Sequence, residues 1–310
     1  MAYIGVDIGG TKCAVVKGDE NGISEKLRFD TESCAVTVEK ILAAVASLMP
    51  ADAIGISCGG PLDEERGVIL SPPNLPGWDG VPITDILTSR FGIPAYLCND
   101  ANACALAEWK YGAGRGTRNM IFLTFGTGLG AGLILDGRLY HGTTGNAGEV
   151  GHIRLSADGP VGFGKRGSFE GFCSGGGIAR LAQITARHRI ADGNPIMWAD
   201  NEDKISKITT KYLAELANGD DADALEIFEI SAERLGAGLS VLVDILNPER
   251  IVIGSVFARC EGLFREKMQA VMRSECIPSS LAVCEVVPAA LGEEIGDYAA
   301  LAVAREGEKK

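Results

Sequence analysis

Hydrophobic positions along the chain alternate between short β-branched runs and longer stretches with helical spacing. The short runs are typical of buried strands, whereas the longer stretches collect apolar residues on one helix face. This alternation predicts an α/β fold. The predicted strands are Tyr3–Asp7, Cys13–Lys17, Ala53–Ser57, Ala95–Leu97, Met120–Phe125, Gly132–Leu135, Ile251–Ile253 and Leu281–Val287. The predicted helices are Val36–Leu48, Ile83–Arg90, Ala101–Tyr111, Ile178–His188, Lys204–Ala217, Ala222–Leu246, Glu261–Met272 and Glu294–Arg305.

The chain has the length and internal pattern of two similar lobes. Its 310 residues suffice for two domains, and the glycine-rich stretch Gly112–Thr117 is the candidate boundary. A strand, a glycine turn with threonine and a second strand occur at Tyr3–Val16 and again at Ile121–Ile134. The predicted lobes are an N-terminal one of residues 1–117, completed by the last helix 293–310, and a C-terminal one of residues 118–292.

Composition and charge narrow the class of protein. With 46% hydrophobic and 23% charged residues the chain is typical of a globular protein, and its net charge of −12 disfavours nucleic acid as a partner. The longest apolar run, Gly236–Leu246, is interrupted by Asp244 and is too short to span a bilayer. Nine cysteines without paired spacing, and an N-terminus without a signal-peptide pattern, indicate a reducing compartment. We expect a cytoplasmic protein without a membrane partner.

The 41 glycines cluster, and two clusters form turns between predicted strands. In the turn Gly9–Lys12, glycines allow backbone N–H groups to approach phosphate oxygens, while Thr11 offers a hydroxyl and Lys12 a positive charge. Asp7 stands where it can position Mg²⁺ through water. The second turn lies in Gly126–Gly132. Either turn alone also fits an ordinary hairpin, whereas two such turns from two lobes suit one polyphosphate.

Two common nucleotide-binding motifs do not fit these turns. The dinucleotide fingerprint needs a helix that opens at the glycines, but Leu133–Tyr140 is predicted as strand, turn and strand. The chain also lacks the G-x-x-x-x-G-K-[ST] pattern of P-loop proteins.

Five motifs in order resemble the ROK family (repressors, uncharacterised frames and sugar kinases) of the actin-like ATPase superfamily. The resemblance covers essentially the whole chain, through Leu291–Ala300. It implies two actin-like (ribonuclease H-like) lobes with a ligand cleft between them, and a homodimer. It further implies ATP-dependent phosphorylation of a hexose, glucose or a related sugar, at the 6-hydroxyl. The motifs are Asp7-Ile-Gly-Gly-Thr-Lys12, Pro73-Asn-Leu-Pro-Gly-Trp78, Asn99-Asp-Ala-Asn102, Phe125-Gly-Thr-Gly-Leu-Gly130 and Gly145-Asn-Ala-Gly-Glu-Val-Gly-His152.

The resemblance assigns roles to individual residues. Asp100 would be the general base that accepts the proton of the sugar hydroxyl. The residues that would bind the sugar are Asn74, Asn99, Glu149, His152 and Glu170. The residues that would bind ATP, with its Mg²⁺, are Asp7, Gly9, Gly10, Thr11, Lys12, Gly126, Thr127, Gly128, Gly130, Gly132 and Gly254.

Structural alternatives exist for several of these residues. Asp100 also suits the N-cap of the helix Ala101–Tyr111, a position for which Asn99 is equally suited. Glu149 and His152 are three residues apart and suit a surface pair, and Asn74 suits a turn between prolines.

The chain departs from the family's zinc motif. Val161, Phe163 and Ser168 occupy the positions of the three cysteines that bind structural zinc together with the histidine at His152. Valine and phenylalanine cannot ligate zinc, so we expect no structural zinc. We expect apolar packing of Val161 and Phe163 to stabilise this loop instead, with Glu170 retained for sugar binding.

A second departure lies in the adenosine motif. The family's Ile-Val-Ile-Gly-Gly-Gly is here Ile251-Val-Ile-Gly-Ser-Val256, and Ser255 and Val256 are predicted to crowd the base or ribose. These departures leave a catalytically weak sugar sensor as the alternative function. A DNA-binding regulator is not expected, because the first phosphate motif begins at Ile4 and the chain is acidic.

Overall fold

The computed structural model describes residues 1–307. Its strands are β1 (Tyr3–Ile8), β2 (Lys12–Asp19), β3 (Gly22–Asp30), β4 (Ala53–Cys58), β5 (Leu62–Asp63), β6 (Val68–Ile69), β7 (Ala95–Asn99), β8 (Met120–Leu123), β9 (Ala131–Leu135), β10 (Arg138–Leu139), β11 (Val161–Gly162), β12 (Lys165–Arg166), β13 (Arg250–Ile253) and β14 (Glu285–Pro288). Its α-helices are α1 (Cys34–Leu48), α2 (Ile83–Phe91), α3 (Asp100–Tyr111), α4 (Phe169–Phe172), α5 (Gly175–Ala191), α6 (Glu202–Ser206), α7 (Thr210–Asn218), α8 (Ala222–Leu246), α9 (Ser255–Glu275), α10 (Pro278–Leu281) and α11 (Ile295–Gly307). The predicted α/β class is confirmed.

The chain folds into two compact units. Of the described residues, the first unit takes Met1–Arg118, Gly132–Ala147 and 290–307, and the second takes Asn119–Ala131 and Gly148–Ala289. Residues 132–147, which the sequence analysis grouped with the C-terminal lobe, thus pack with the first unit. Of the predicted last helix, residues 308–310 lie outside the described residues.

The first unit is built on a five-stranded sheet in the order β3-β2-β1-β4-β7. Strand β1 pairs antiparallel with β2 and parallel with β4, which in turn pairs parallel with β7. Helix α11 lies directly on this sheet, because a Cβ atom on Gly5 would come within 2.6 Å of the Leu301 nitrogen. Helices α1 and α2 contribute Ile41, Val45 and Leu87 to the apolar core of the sheet.

Strand β3 is absent from the sequence prediction. Most of its residues are exposed, and the strand lies at the sheet edge, where one face and one side are open to solvent. Because no residue of this edge strand is fully buried, the alternation of apolar and polar residues that identifies a strand is missing.

In the second unit β13 pairs parallel with both β8 and β14. Helices α8 and α9 pack along each other, with an aromatic cluster in the core of the unit. The Phe264 ring centroid lies 5.5 Å from that of Phe125 and 5.4 Å from that of Phe228, both with edge-on geometry. Such pairs stabilise the core beyond their buried area.

Several predicted bounds differ from the structure. The helix predicted over Lys204–Ala217 is two helices, α6 and α7, because the side chain of Thr209 accepts a hydrogen bond from Tyr212 N–H and starts a new helix. The strand predicted over Leu281–Val287 is reduced to β14, because Leu281 ends the short helix α10.

In the described residues no helix is long and apolar enough to cross a membrane. No disulfide bond joins any of the nine cysteines, all of which lie within residues 1–307.

Candidate active site

Three neighbouring parallel strands of the first unit end at the same level of the sheet. Ile8 of β1 is in register with Cys58 of β4, and Cys58 is in register with Asn99 of β7. The glycine turn that starts at Gly9, the pair Gly59-Gly60 and the start of α3 therefore leave the sheet side by side. Carboxyl ends of parallel strands are the usual location of ligand sites in α/β proteins.

The first glycine turn is fixed at its base and open at its tip. Thr31, which follows β3, donates its hydroxyl to the Gly9 carbonyl at 2.6 Å and its N–H to the Thr11 carbonyl at 3.0 Å. Gly10, Thr11 and Lys12 are exposed. A rigid turn with an exposed lysine suits an anionic ligand.

Gly10 brings this turn against a predicted sugar-binding residue. A Cβ atom on Gly10 would lie 2.4 Å from the carbonyl oxygen of Asn74. Since backbone atoms cannot approach a side chain this closely, glycine is required here, and the turn packs directly on the Asn74 backbone.

Asp100 is the first residue of α3, and Asn99 is its N-cap. The Asn99 Oδ1 accepts the Ala101 N–H at 3.0 Å, and Asp100 Oδ1 accepts the same N–H at 2.8 Å. The capping position that the sequence analysis considered for Asp100 is therefore filled by Asn99. Helix α3 begins one residue earlier than predicted.

The other Asp100 oxygen, Oδ2, faces the backbone of Gly59, the first of two consecutive glycines. A Cβ atom on Gly59 would lie 3.8 Å from both Asp100 Oδ2 and Asn74 Oδ1, and one on Gly60 would lie 3.5 Å from Asn99 Nδ2. Asn74, Asn99 and Asp100 thus border the same two glycines. Gly59 is not among the predicted site residues. A glycine pair directly after a buried strand nevertheless indicates that a ligand or another backbone segment approaches closely.

The surroundings of Asp100 favour its neutral form. Asp100 as a whole residue is exposed, but protein atoms surround its carboxyl group. The resulting desolvation raises the pKa of this carboxyl above its usual value. The hydrogen bond from Ala101 N–H acts in the opposite direction. A carboxylate with a raised pKa is a stronger base than an ordinary aspartate.

Asp7 lies among charged side chains in the same unit. Burial, together with the negative charges of Asp297 and Asp100, raises the pKa of the Asp7 carboxyl to about 6. The positive charges of Arg28 and Lys26 act against this shift, and Lys26 forms an ion pair with Asp297. A cation near Asp7 would offset this repulsion, so the site fits the predicted Mg²⁺ position.

The second glycine turn joins β8 to β9. Thr124 closes it, because its hydroxyl accepts the Gly130 N–H at 2.9 Å and its N–H donates to the Gly130 carbonyl at 3.0 Å. Within the turn, Gly126 N–H donates to the Gly128 carbonyl at 2.9 Å. The turn is thus a closed loop and not a simple two-residue hairpin.

The starts of two helices lie against this turn. Gly175, at the start of α5, donates its N–H to the Gly126 carbonyl at 2.7 Å, and a Cβ atom on Gly176 would lie 3.3 Å from the Thr127 oxygen. Sequence reasoning missed this end of α5, which begins three residues before the predicted start. The signal was present as Ser174 followed by three glycines, since Ser174 caps the helix.

The adenosine motif begins helix α9 beside the same turn. Gly254 N–H donates to the Leu123 carbonyl at 2.9 Å, and Val256 N–H donates to the Phe125 carbonyl at 3.1 Å. Ser255 has a φ of 52°, a left-handed conformation that glycine adopts readily and serine rarely. This explains why a glycine suits the position in the family that the sequence resembles.

Glu149, His152 and Glu170 lie near one another in the second unit. Glu149 precedes a short 3₁₀ helix, and its carbonyl accepts the His152 N–H at 3.2 Å. Glu170 Oε2 accepts the Leu129 N–H at 3.1 Å, which attaches this side chain to the glycine turn. Gly151 fills the space in between, since a Cβ atom there would lie 3.3 Å from the Glu170 Cβ.

The expected apolar packing of Val161 and Phe163 is wrong. Their side chains are 41% and 79% exposed, on the hairpin of β11 and β12. The Phe163 ring instead contacts the His152 ring edge-on, with centroids 4.8 Å apart. Lys165 of the same hairpin donates from Nζ to the His152 carbonyl at 2.7 Å.

Ser168 is the buried residue of this loop. Its hydroxyl accepts the Gly171 N–H at 3.1 Å and donates to the Gly162 carbonyl at 3.3 Å, so hydrogen bonds join the hairpin to α4. The side chains at the family's zinc positions do not supply a zinc ligand set. Throughout residues 1–307, no three or more His, Cys, Asp or Glu side chains are grouped to hold a metal ion.

Gly132 differs from the other predicted ATP-binding glycines. It lies within β9 and in the first unit, where a Cβ atom would come 2.4 Å from the Ala105 Cβ of α3. Close packing against α3 therefore accounts for a glycine here.

The predicted site residues are divided between the two units. The first unit holds Asp7, Gly9, Gly10, Thr11, Lys12, Asn74, Asn99, Asp100 and Gly132. The second unit holds Gly126, Thr127, Gly128, Gly130, Glu149, His152, Glu170 and Gly254.

Comparisons with known proteins find relatives that match nearly the whole chain. The chain is 31% identical to a glucokinase of Thermotoga maritima over 321 aligned residues, covering 99% of this chain and 98% of the relative. A ROK hexokinase structure from Thermus thermophilus matches with a TM-score of 0.82 at 31% identity, covering 100% of this chain and 99% of that one. A ROK family glucokinase from Streptomyces griseus, solved with glucose and AMPPNP, matches with a TM-score of 0.75 at 32% identity, covering 99% and 100%.

The model of the ROK family matches residues 3–306, which is nearly the whole chain. The predicted resemblance is confirmed, and the chain belongs to the ROK family.

Proposed function

We propose that this chain is an ATP-dependent sugar kinase that transfers the γ-phosphoryl group of ATP to a hexose, at the 6-hydroxyl, with Asp100 as general base. The main observation in support is the position of Asp100. Asn99 takes over the helix cap, and Asp100 Oδ2 faces the Gly59 backbone beside Asn74. The glucokinase and hexokinase relatives support the same activity.

In the proposed reaction the sugar hydroxyl loses its proton to Asp100 while its oxygen forms a bond to the γ-phosphorus. The bond from that phosphorus to the bridging oxygen breaks, and ADP leaves with the electron pair. Since phosphoryl transfer depends chiefly on positioning and charge stabilisation, the base needs only to be placed correctly and ionised.

The remaining predicted residues take the binding roles in this proposal. Asn74 and Asn99, with Glu149, His152 and Glu170, would pair with the sugar hydroxyls, because fixed donors and acceptors discriminate a polyol well. The two glycine turns and Gly254 would hold ATP, with Lys12 adding positive charge. Mg²⁺ bound with ATP would neutralise phosphate charge, and Asp7 is the side chain placed to hold its water shell.

A panel of hexoses tests the proposal. Purified protein is incubated with Mg-ATP and glucose, mannose, N-acetylmannosamine, galactose or a β-glucoside, and ADP release and thermal unfolding are measured for each. The proposal predicts ADP release that depends on at least one of the sugars. Sugar-induced thermal stabilisation without ADP release would instead identify a catalytically weak sugar sensor.

A further inference from the structure

A partly buried hydrogen-bond network is attached to the Asn99–Asp100 turn. Glu64, in the loop between β5 and β6, accepts the Asn99 N–H with Oε1 at 2.7 Å. Its other oxygen, Oε2, lies 3.0 Å from Nδ1 of His141, which follows β10. Both carboxylate oxygens of Glu64 are thus engaged by groups from distant parts of the chain.

The hydrogen bond from Asn99 N–H to Glu64 lies at the start of α3, because Asn99 is the N-cap of that helix. Asn99 Oδ1 caps the Ala101 N–H, so the position of the Asn99 backbone sets the direction in which the helix starts. Asp100 is the next residue, and its carboxylate direction follows from that start. Glu64 is therefore linked to Asp100 through the backbone of Asn99.

His141 fixes the orientation of Glu64 in turn. An ionised carboxylate only accepts hydrogen bonds, so His141 Nδ1 carries the proton in this pair. Within residues 1–307, the other ring nitrogen, Nε2, is buried without a hydrogen-bond partner. The contact of Nδ1 with Glu64 is therefore the polar contact that orients the ring.

We propose that Glu64 and His141 form a positioning pair that holds the Asn99–Asp100 turn in its catalytic geometry. This inference rests on the proposed function, in which Asp100 is the base. The pair acts on the step in which the hydroxyl is deprotonated and attacks, and not on the affinity for ATP. Misplacement of a catalytic group by about 1 Å lowers rates by about 100-fold.

The test uses variants that separate geometry from charge. Glu64→Ala removes both hydrogen bonds. Glu64→Gln keeps them if its oxygen accepts the Asn99 N–H and its NH₂ donates to the other His141 tautomer. His141→Leu removes the side-chain donor, whereas His141→Asn retains one. Glu65→Gln is the matched control, since Glu65 is the exposed neighbour of Glu64.

We expect Glu64→Ala to lower kcat by about 10- to 100-fold with the KM for ATP nearly unchanged. Glu64→Gln and His141→Asn should recover most of this loss, His141→Leu should not, and Glu65→Gln should match the wild type. A merely structural role would lower the melting temperature without this split between kcat and KM and without rescue by the conservative variants. That result, or full kcat in Glu64→Ala, would overturn the proposal.

Amide hydrogen exchange gives a readout that does not depend on turnover. In Glu64→Ala the Asn99 and Ala101 amides should exchange faster than in the wild type, while amides of α8 keep their rates. If the wild type turns over no sugar, the proposed function fails, and exchange at these two amides alone still tests the positioning pair. Unchanged exchange at Asn99 would overturn it.

Discussion

Asp100 has two carboxylate oxygens in different surroundings, and this difference sets the expected pH dependence. Oδ1 takes a hydrogen bond at the start of α3, while Oδ2 faces Gly59 and Asn74 in a partly desolvated position that raises the pKa. A general base works only when ionised, so a raised pKa moves the acid limb of activity upward.

The pH profile of kcat/KM should therefore fall, as pH decreases, at a pH above the usual aspartate pKa of about 3.9. The measurement is sugar-dependent ADP release between pH 4.5 and 8, with the protein shown to remain folded by circular dichroism. Constant kcat/KM down to the lowest pH at which the protein stays folded would contradict the prediction.

Gly59 determines how much space lies beside Asp100. A Cβ atom there would be in ordinary contact with Asp100 Oδ2 and Asn74 Oδ1 at 3.8 Å, so alanine fits without displacing protein atoms. Gly59→Ala should leave the melting temperature within a few degrees and raise the KM for the sugar about 10-fold, by filling space that the sugar hydroxyl needs. Steady-state kinetics with a fixed saturating ATP concentration measures this.

Gly262→Ala is the matched control, because in the described part of the chain nothing outside its own stretch of α9 lies within 4 Å of a Cβ at Gly262. If Gly59→Ala retained the wild-type KM for every sugar phosphorylated, Gly59 would not border the sugar.

Residue identities were predictable to different extents. Asp100 and Asn74 are predicted as site residues because they stand in short motifs that resemble those of the ROK family. Glu64 was not predicted, because its partner Asn99 is 35 residues away and only the fold brings the two together. Local sequence patterns contain no information about such long-range hydrogen bonds.

At the scale of elements, the hairpin of β11 and β12 positions His152 by contacts that the sequence did not predict. Phe163, with a left-handed φ of 41°, places its ring against His152 although it is 79% exposed. Loss of an exposed side chain usually changes stability by less than about 0.5 kcal/mol.

Phe163→Ala should therefore raise the KM for the sugar several-fold with little change in melting temperature, because His152 loses its ring contact. Val161→Ala, on the same hairpin, is the control and should keep the wild-type KM. Equal KM values in the two variants would show that the Phe163–His152 contact does not affect sugar binding.

Most elements with a buried face were predictable, and those without one were not. Apolar periodicity identified β1, β4, α1 and α8. It missed β3, which lies at a sheet edge with mostly exposed residues, and it merged α6 with α7, because the cap at Thr209 interrupts an otherwise continuous helical pattern.

At the scale of the whole molecule, the homodimer implied by the family resemblance has a candidate surface in the second unit. Ile245, Ile277 and Val283 are 72%, 55% and 59% exposed, and Ile277 N–H donates to Asp244 beside Ile245 at 3.0 Å. Exposed apolar side chains in proximity favour association with another chain.

We expect a homodimer by size-exclusion chromatography with light scattering, and Ile245→Glu should shift it toward monomer. Met197→Glu introduces the same charge at an exposed apolar residue elsewhere in this unit and should remain dimeric. A monomeric wild type, or an Ile245→Glu variant that stays fully dimeric, would contradict this surface.

The repeated strand–turn–strand pattern predicts two lobes, and the described residues form two compact units. The assignment of residues 132–147 to the first unit was not predictable, because Gly132 packs on α3 through space and no local signal marks the chain's return. The boundary at Gly132 therefore depends on contacts between segments that are distant in sequence.

The most direct test of Asp100 as the base for a sugar 6-hydroxyl is an assay of sugar-dependent ADP release. Wild type and Asp100→Asn are each assayed with glucose and with 6-deoxyglucose. Sugar binding by calorimetry accompanies the assay. We expect ADP release with glucose and none with 6-deoxyglucose. We also expect kcat to fall about 100- to 10,000-fold in Asp100→Asn, with sugar binding retained. Wild-type turnover in Asp100→Asn, or equal turnover with 6-deoxyglucose, would contradict this expectation.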